Sequence, residues 1–107
     1  MATSASTIEY IVDQLADVPG IRTRKMFGEY ALYVGAKVVA LICDDMLYVK
    51  PTPEGRAYAA GAYTEAPAYP GARLSLAMSD DFVDNRERIA ELIRLTEAAL
   101  PEPKPKK

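Results

Sequence analysis

Several residue types that build common functional sites are absent or rare in this chain. Its 107 residues contain no histidine, no tryptophan and a single cysteine, Cys43. One cysteine cannot form an internal disulfide, and without histidine a zinc site made of cysteine and histidine ligands is excluded. An unpaired thiol is typical of a reducing compartment, so we expect a cytoplasmic protein.

Long apolar segments are also missing. No stretch approaches the roughly 18 apolar residues that a membrane-spanning helix needs. The opening letters MATSAS lack the basic start and the apolar run of a signal peptide. We therefore expect no membrane partner and no export by that route.

The motifs that carry catalysis or bind cofactors are not found either. A serine or cysteine nucleophile commonly needs a histidine base, which the chain lacks. The glycines form no phosphate-binding loop. The pairs Asp44-Asp45 and Asp80-Asp81 lack the spacing of a calcium-binding loop, and we predict that they are turn or cap residues. Carboxylates beside Cys43 disfavour its thiolate, so we predict a structural cysteine. We expect no enzyme activity, no cofactor and no metal.

The overall composition is typical of a single folded domain. Half of the residues (50%) are hydrophobic, 26% are charged and the net charge is −2, which is the balance of a globular chain. We place the domain in residues 1–100. Residues 101–107, rich in proline and lysine, are expected to be a disordered tail.

The first segment has helical periodicity. Apolar residues recur at the i, i+3, i+4, i+7 spacing that lines one face of a helix, at Ile8, Ile11, Val12, Leu15 and Val18. Ser6 and Glu9 fit the S-x-x-E capping box at its start, and Pro19-Gly20 marks its end.

Four short β-rich runs follow, at residues 21–26, 30–34, 37–42 and 46–50. Gly35-Ala36 and Asp44-Asp45 predict tight turns between them, because glycine and aspartate tolerate turn conformations. The order predicts a four-strand antiparallel meander. Neither face of the second strand is plainly polar, so both faces are expected to be partly covered.

The second half alternates helix and strand. Residues 54–60 are typical of a short helix, prolines make residues 65–71 an irregular loop, and residues 73–78 alternate as a fifth strand. The last helix starts near Asp84, with Glu87 completing a capping box, although Ser79 could start an earlier turn. The fold class is therefore α+β: an N-terminal helix, a four-strand antiparallel meander, a short helix, a fifth strand, and a C-terminal helix packed on the sheet.

Two basic clusters are candidates for nucleic-acid contact. They are Arg22, Arg24 and Lys25 on the first strand, and Lys104, Lys106 and Lys107 in the tail. Affinity for a duplex rises with the number of phosphates neutralised, so a net acidic body is a poor platform. A solvated strand face and a solubilising tail are favoured, and weak nucleic-acid binding is the alternative function.

Seven tyrosines are the least ordinary feature of a chain without tryptophan. Tyrosine rings suit both a sheet core and an interface. Core packing is favoured for the tyrosines in strands. Tyr69, between Ala68 and Pro70, is the favoured surface contact.

Five runs stand out in order along the chain: RKMFGEYALY at 24–33, KVVALI at 37–42, LYVK at 47–50, PAYPG at 67–71 and LPEPK at 100–104. Together they resemble the N-terminal domain of the TfoX/Sxy family of competence regulators. The resemblance covers residues 8–104. It implies an α+β fold with helices on an antiparallel sheet, and a cytoplasmic bacterial protein.

The resemblance also implies a type of function. Full-length members of this family carry a second, helical domain and promote expression of DNA-uptake genes together with the cyclic-AMP receptor protein. This chain resembles the first domain, without a helix-turn-helix module for reading DNA. We therefore expect a stand-alone, non-enzymatic regulatory or protein-interaction module, with a protein partner or a second copy of itself as a homodimer.

The family has no established catalytic residues to carry over. The positions of its motif that are candidates for a shared binding surface are Met26, Phe27, Gly28, Glu29, Tyr30 and Lys50, and Tyr69 joins them as the favoured tyrosine. Structural alternatives exist, since Gly28 can supply a backbone bend and Phe27 can be core. An enzyme that uses Glu29 and Lys50 as an acid/base pair is the third hypothesis.

Overall fold

A computed structural model describes residues 3–26 and 29–101, which form four helices and six strands. The helices are α1 (Ala5–Gln14), α2 (Pro53–Tyr58), α3 (Asp80–Asp84) and α4 (Arg86–Ala99). The strands are β1 (Ile21–Met26), β2 (Glu29–Val34), β3 (Lys37–Cys43), β4 (Met46–Val49), β5 (Tyr63–Pro67) and β6 (Leu74–Met78). The predicted α+β class is confirmed. None of these helices has the length and apolar character needed to cross a bilayer.

All six described strands pair antiparallel in one sheet, in the order β1-β2-β3-β4-β6-β5. Strands β1 to β4 are the predicted meander. Both predicted turns are present, with φ angles of 61° at Gly35, 52° at Asp44 and 62° at Asp45. These left-handed angles are the ones that glycine and aspartate accept at the tip of a tight hairpin.

The predicted loop at residues 65–71 is wrong in its first half. Residues Tyr63–Pro67 form β5, whose register with β6 runs from Tyr63 opposite Met78 to Pro67 opposite Leu74. Because β5 is the edge strand of the sheet, a proline at its end removes no donor from an inner ladder. The proline signal for a loop therefore holds only for the residues after β5.

The start of α1 differs from the predicted capping box. Ser4 is the N-cap, and its Oγ accepts the N–H of Thr7 at 3.4 Å. Ser6 and Glu9 are already inside the helix, so the box assigned to them is wrong. The helix also ends at Gln14, ahead of Pro19-Gly20.

The last helical region is two helices. Ser79 caps the short α3, which confirms the earlier helix start that the sequence allowed at this residue. Asn85, one residue beyond the predicted start at Asp84, then caps α4 by accepting the N–H of Arg88 at 3.2 Å. The extended dihedral angles of Asn85, φ −87° and ψ 98°, separate the two helices.

The core lies between the helices and one face of the sheet. Its fully buried side chains include Leu15 of α1, Leu32, Ile42, Val49 and Leu76 of the sheet, and Ile89, Leu92 and Ile93 of α4. The predicted packing of the C-terminal helix on the sheet is thus confirmed. Each such aliphatic side chain contributes about 1.5–3 kcal/mol through removal from water.

Helix α2 approaches α4 closely at Gly55. A Cβ atom added there would lie 2.9 Å from Thr52 Oγ1 and 3.2 Å from Leu92 Cδ1. Thr52 Oγ1 is not free to withdraw, because it accepts the Gly55 N–H at 2.9 Å as the N-cap of α2. The missing side chain is what lets α2 rest on α4.

We expect Gly55→Ala to destabilise the protein by about 1–2 kcal/mol, because crowding against Thr52 and Leu92 outweighs the gain in helix propensity. The measurement is the free energy of unfolding from urea denaturation. Ala57→Gly, at an exposed position of the same helix, is the control that measures the propensity effect alone. A Gly55→Ala protein of unchanged or greater stability would contradict the close approach.

Candidate functional site

The helices cover one face of the sheet, and we call the other the open face. Register across the strands aligns one row of residues on it: Arg24, Ala31, Leu41, Tyr48, Ala77 and Thr64. Their neighbours along the strands, such as Leu32, Ala40 and Leu76, belong to the core beneath the helices. Ala31 and Ala77 are nevertheless buried, so the open face is partly packed without a helical layer.

A groove of about 450 Å³ occupies one end of the open face. We call it the Tyr69 groove, and it is lined by Met26, Glu29, Tyr30, Leu41, Cys43 and Tyr69. Tyr69 follows β5, which is at the opposite edge of the sheet from β1. It can share a groove with residues of β1 to β3 only because the β5–β6 loop folds over the open face.

The groove brings together four of the residues that the sequence nominated for binding, namely Met26, Glu29, Tyr30 and Tyr69. Leu41 and Cys43 were not nominated for it. The sequence could have indicated both, because residues two apart on a strand share a face, and Leu41 and Cys43 share the open face of β3. Nothing in the sequence spacing indicated that Tyr69 would meet β1 to β3.

The rim of the groove is apolar and accessible to solvent. Met26 is 40% exposed and Tyr69 is 55% exposed. Leu74, 52% exposed, begins β6 on the same hairpin that carries Tyr69. Among the described residues only one other large hydrophobic side chain is exposed, Tyr10 on α1.

Glu29 is the acidic group of the groove. Its Oε1 accepts a hydrogen bond from Thr3 Oγ1 at 2.7 Å and another from the Asp44 N–H at 3.2 Å. The bond from Thr3 is the main reason why the pKa of the Glu29 carboxyl is lowered. A carboxylate held in this way gives the groove wall a fixed negative charge.

Asp45 makes a matching set of contacts at the β3–β4 turn. One of its oxygens, Oδ1, accepts the N–H of Ser4 and the hydroxyl of Thr7, each at 2.9 Å. These bonds, the one from the Ser4 N–H first, lower the pKa of the Asp45 carboxyl. We call Glu29 and Asp45 the carboxylate clamp, because together they fasten the start of α1 to the sheet.

Cys43 forms part of the groove floor and is buried. Burial raises the pKa of its thiol, and the negative charge of Glu29 raises it further. Both effects favour the neutral, unreactive thiol. The environment supports the structural role predicted for this cysteine.

Two nominated residues, Phe27 and Gly28, lie outside the described residues. Lys50 is exposed at the other end of the sheet, where its N–H donates to Val39 O at 2.9 Å. It borders a separate cavity with Lys37 and Leu100.

The acid/base pair of the third hypothesis is not brought together. Register places Glu29 level with Met46, at the opposite end of β4 from Lys50. At about 3.3 Å per residue, the two lie roughly 13 Å apart along the strand direction. That separation exceeds the reach of a hydrogen bond or of one bridging water.

The basic residues of β1 lie on both faces of the sheet. Arg22 and Arg24 share the open face, and Lys25 points to the other side. The guanidinium of Arg22 lies 4.5 Å from the centre of the Tyr33 ring, and its Nε donates to Gly35 O at 3.2 Å. The tail lysines Lys104, Lys106 and Lys107, and the predicted disorder of the tail from residue 102, lie outside the described residues.

A second cavity, of about 410 Å³, lies between α1, α3 and the β3–β4 turn and is lined by Tyr10, Asp45, Asp80 and Asp84 among others. The Tyr10 hydroxyl donates to Asp84, and that bond raises the Tyr10 pKa. Within residues 3–26 and 29–101 no three histidine, cysteine or acidic side chains are grouped to hold a metal ion. Asp45 lies in the β3–β4 turn, whereas Asp80 and Asp81 lie in the first turn of α3 and not at its cap, which is Ser79.

Comparison with known proteins identifies the family. Residues 13–100 match the TfoX N-terminal domain. The chain is also 45% identical over 107 residues to an "Uncharacterized 12.7 kDa protein in trpE 5′region" of Spirochaeta aurantia, covering all of this chain and 91% of that protein. The chain therefore belongs to the TfoX N-terminal domain family, as its strand motifs predicted.

The carboxylate clamp predicts an acid-sensitive fold. Because both carboxyl groups have folded pKa values below their unfolded ones, their stabilisation is present above about pH 4 and is lost as the pH falls through the lowered values. We expect the double variant Glu29→Gln, Asp45→Asn to be less stable at neutral pH and to lose less stability between about pH 5 and pH 3. Urea midpoints measured along the pH series test this.

Glu9→Gln is the control for the clamp, because Glu9 is exposed on α1 and away from the β3–β4 turn. It should keep the acid dependence of the original protein. An acid dependence in the double variant as steep as that of the original would mean that the clamp is not responsible.

Cys43 should react slowly. We expect iodoacetamide at neutral pH to alkylate it more than about tenfold more slowly than glutathione, because the thiol is buried and its raised pKa reduces the thiolate fraction. Mass spectrometry of timed samples gives the rate, and the reaction in denaturing urea is the control that should restore it. A native rate above that of glutathione would overturn the structural assignment.

Proposed function

We propose that this TfoX N-terminal domain protein is a non-enzymatic protein-interaction module that acts in gene regulation in the bacterial cytoplasm. The Tyr69 groove is its binding surface. The observation that carries the proposal is the exposure of Met26 and Tyr69 on the rim of one apolar groove.

The chemistry of the groove is that of a contact surface for protein side chains. Contiguous exposed apolar surface marks interaction sites in soluble proteins. Tyrosine and methionine are both enriched at interface cores, where the tyrosine ring buries area at little cost in side-chain entropy. Glu29, fixed by Thr3 and Asp44, adds one oriented polar group that a partner must match.

The family assignment supports the regulatory part of the proposal. TfoX/Sxy regulators promote the expression of DNA-uptake genes, and residues 13–100 of this chain match their N-terminal domain. A domain without a helix-turn-helix would exert such an effect through another protein. A second copy of this chain is among the partners that we propose.

The alternative function is weak nucleic-acid binding. One observation favours it, because Arg22 and Arg24 lie on the same open face. The net charge of −2 opposes it, since affinity for nucleic acid depends on how many phosphates are neutralised. We therefore rank it below protein binding.

A capture experiment tests the groove. The protein, with a tag at its C-terminal end, is incubated with lysate of the native host, with and without nuclease treatment, and bound proteins are identified by mass spectrometry. We expect a partner whose recovery falls about tenfold or more in Tyr69→Ser, because truncating an aromatic anchor at an interface commonly costs about 2 kcal/mol or more.

Tyr10→Ser is the matched control, because Tyr10 is 43% exposed but lies on α1, away from the groove. It should capture the partner normally. Equal recovery with Tyr69→Ser would show that the groove is not the binding surface, and loss of every partner on nuclease treatment would favour the nucleic-acid alternative. Sedimentation velocity at high micromolar concentration distinguishes a homodimer from a monomer.

A further inference from the structure

Strand β1 is an open edge of the sheet. All six of its residues pair with β2, and within the described chain no strand lies on its other side. The outward N–H and C=O groups of such an edge are unpaired with backbone and form a template for one more strand. An extended segment of a partner can use this template, with main-chain hydrogen bonds giving affinity and alternate side chains giving specificity.

The charge of this edge selects what can pair with it. β1 carries Arg22, Arg24 and Lys25 and no acidic residue. Within residues 3–26 and 29–101, neither Arg24 nor Lys25 forms an ion pair. A second copy of β1 would bring like charges together, which destabilises a pair of strands. A segment rich in carboxylates would instead neutralise them.

The edge is continuous with the Tyr69 groove. Arg22, Arg24 and Met26 occupy alternate positions of β1 and therefore share the open face. Met26 is also a wall of the groove. A strand added beside β1 would present carboxylates next to the two arginines and, two residues further on, a side chain next to the groove.

We propose that β1 takes up an extended acidic segment of a partner protein by strand addition, with alternate carboxylates at Arg22 and Arg24 and a following apolar side chain in the Tyr69 groove. The inference rests on the proposed function, because it assigns the chemistry of the partner to the same surface. The guanidinium of Arg22 is already oriented by Tyr33 and Gly35. Less ordering is therefore needed when a carboxylate binds there.

A synthetic peptide tests the proposal directly. The probe is fluorescein-labelled, amidated Leu-Thr-Glu-Thr-Glu-Thr-Leu, which reads the same in both directions and so fits a parallel or an antiparallel addition. Two control peptides have the glutamates replaced by lysine, or alternate backbone amides N-methylated to remove donors. Fluorescence anisotropy with the full chain should show binding of the first peptide at least about tenfold tighter than of either control.

Charge reversal on the protein provides the second arm. We expect Arg24→Glu to weaken binding of the acidic peptide about fivefold or more at low salt, and to weaken its salt dependence. Arg94→Glu, exposed on α4, makes the same change in net charge and is the control. Circular dichroism verifies that both variants are folded.

Equal binding of the acidic and lysine peptides, or an unaffected Arg24→Glu variant, would overturn the strand addition. So would binding of a duplex DNA oligonucleotide that depends on Arg24 in the absence of peptide binding. Capture of a lysate partner that depends on Tyr69 but not on Arg24 would refute the acidic strand and leave the groove as the interaction surface. Capture indifferent to both residues would refute both proposals.

Discussion

The structure depends on one constraint, namely that a six-stranded antiparallel sheet has two faces and that the described helices cover one of them. Apolar residues on the second face must be small, sheltered by a loop, or left in contact with solvent. Ala31, Cys43 and Ala77 are small and buried, whereas Met26 and Tyr69 are exposed. The Tyr69 groove is the space left where the β5–β6 loop shelters only part of that face.

Polar contacts at the β3–β4 turn connect this face to the helical layer. The turn places Asp44 and Asp45 in left-handed conformations, from which the Asp44 N–H reaches Glu29 and the Asp45 carboxylate reaches Ser4. The same carboxylate of Glu29 that holds the segment before α1 is also a wall of the groove. The contacts that hold the start of α1 and the wall of the Tyr69 groove therefore share the carboxylate of Glu29.

Much of the fold could be predicted because local rules decide it. The strands of the meander follow from β-rich runs, and the two predicted turns follow from the breaks at Gly35-Ala36 and Asp44-Asp45. Strand β1 has the predicted bounds. The errors arose where long-range context overrides local preference. Pro67 is tolerated in β5 because that strand is at an edge, and Ser4 replaces Ser6 as the cap of α1 because Asp45, distant in sequence, binds the start of the helix.

The candidate site was predictable only as separate pieces. Met26, Glu29 and Tyr30 were nominated because they match one run of the family motif, and Tyr69 was nominated as a surface contact because it lies between Ala68 and Pro70. Their meeting depends on how the β5–β6 loop crosses the sheet, which no spacing in the sequence reveals. The distance between Lys50 and Glu29 likewise depends on the register of β2, β3 and β4, which is set by pairing between the strands and not by local sequence.

The clamp also has a practical consequence for recombinant forms of the protein. Thr3, the first described residue, is bonded to Glu29, which is a wall of the Tyr69 groove. Pro101 borders the cavity near Lys50, at the far end of the strands. Purification handles at the two termini are therefore not equivalent, because the first described residue contacts a wall of the groove and the last one lies at the other end of the strands.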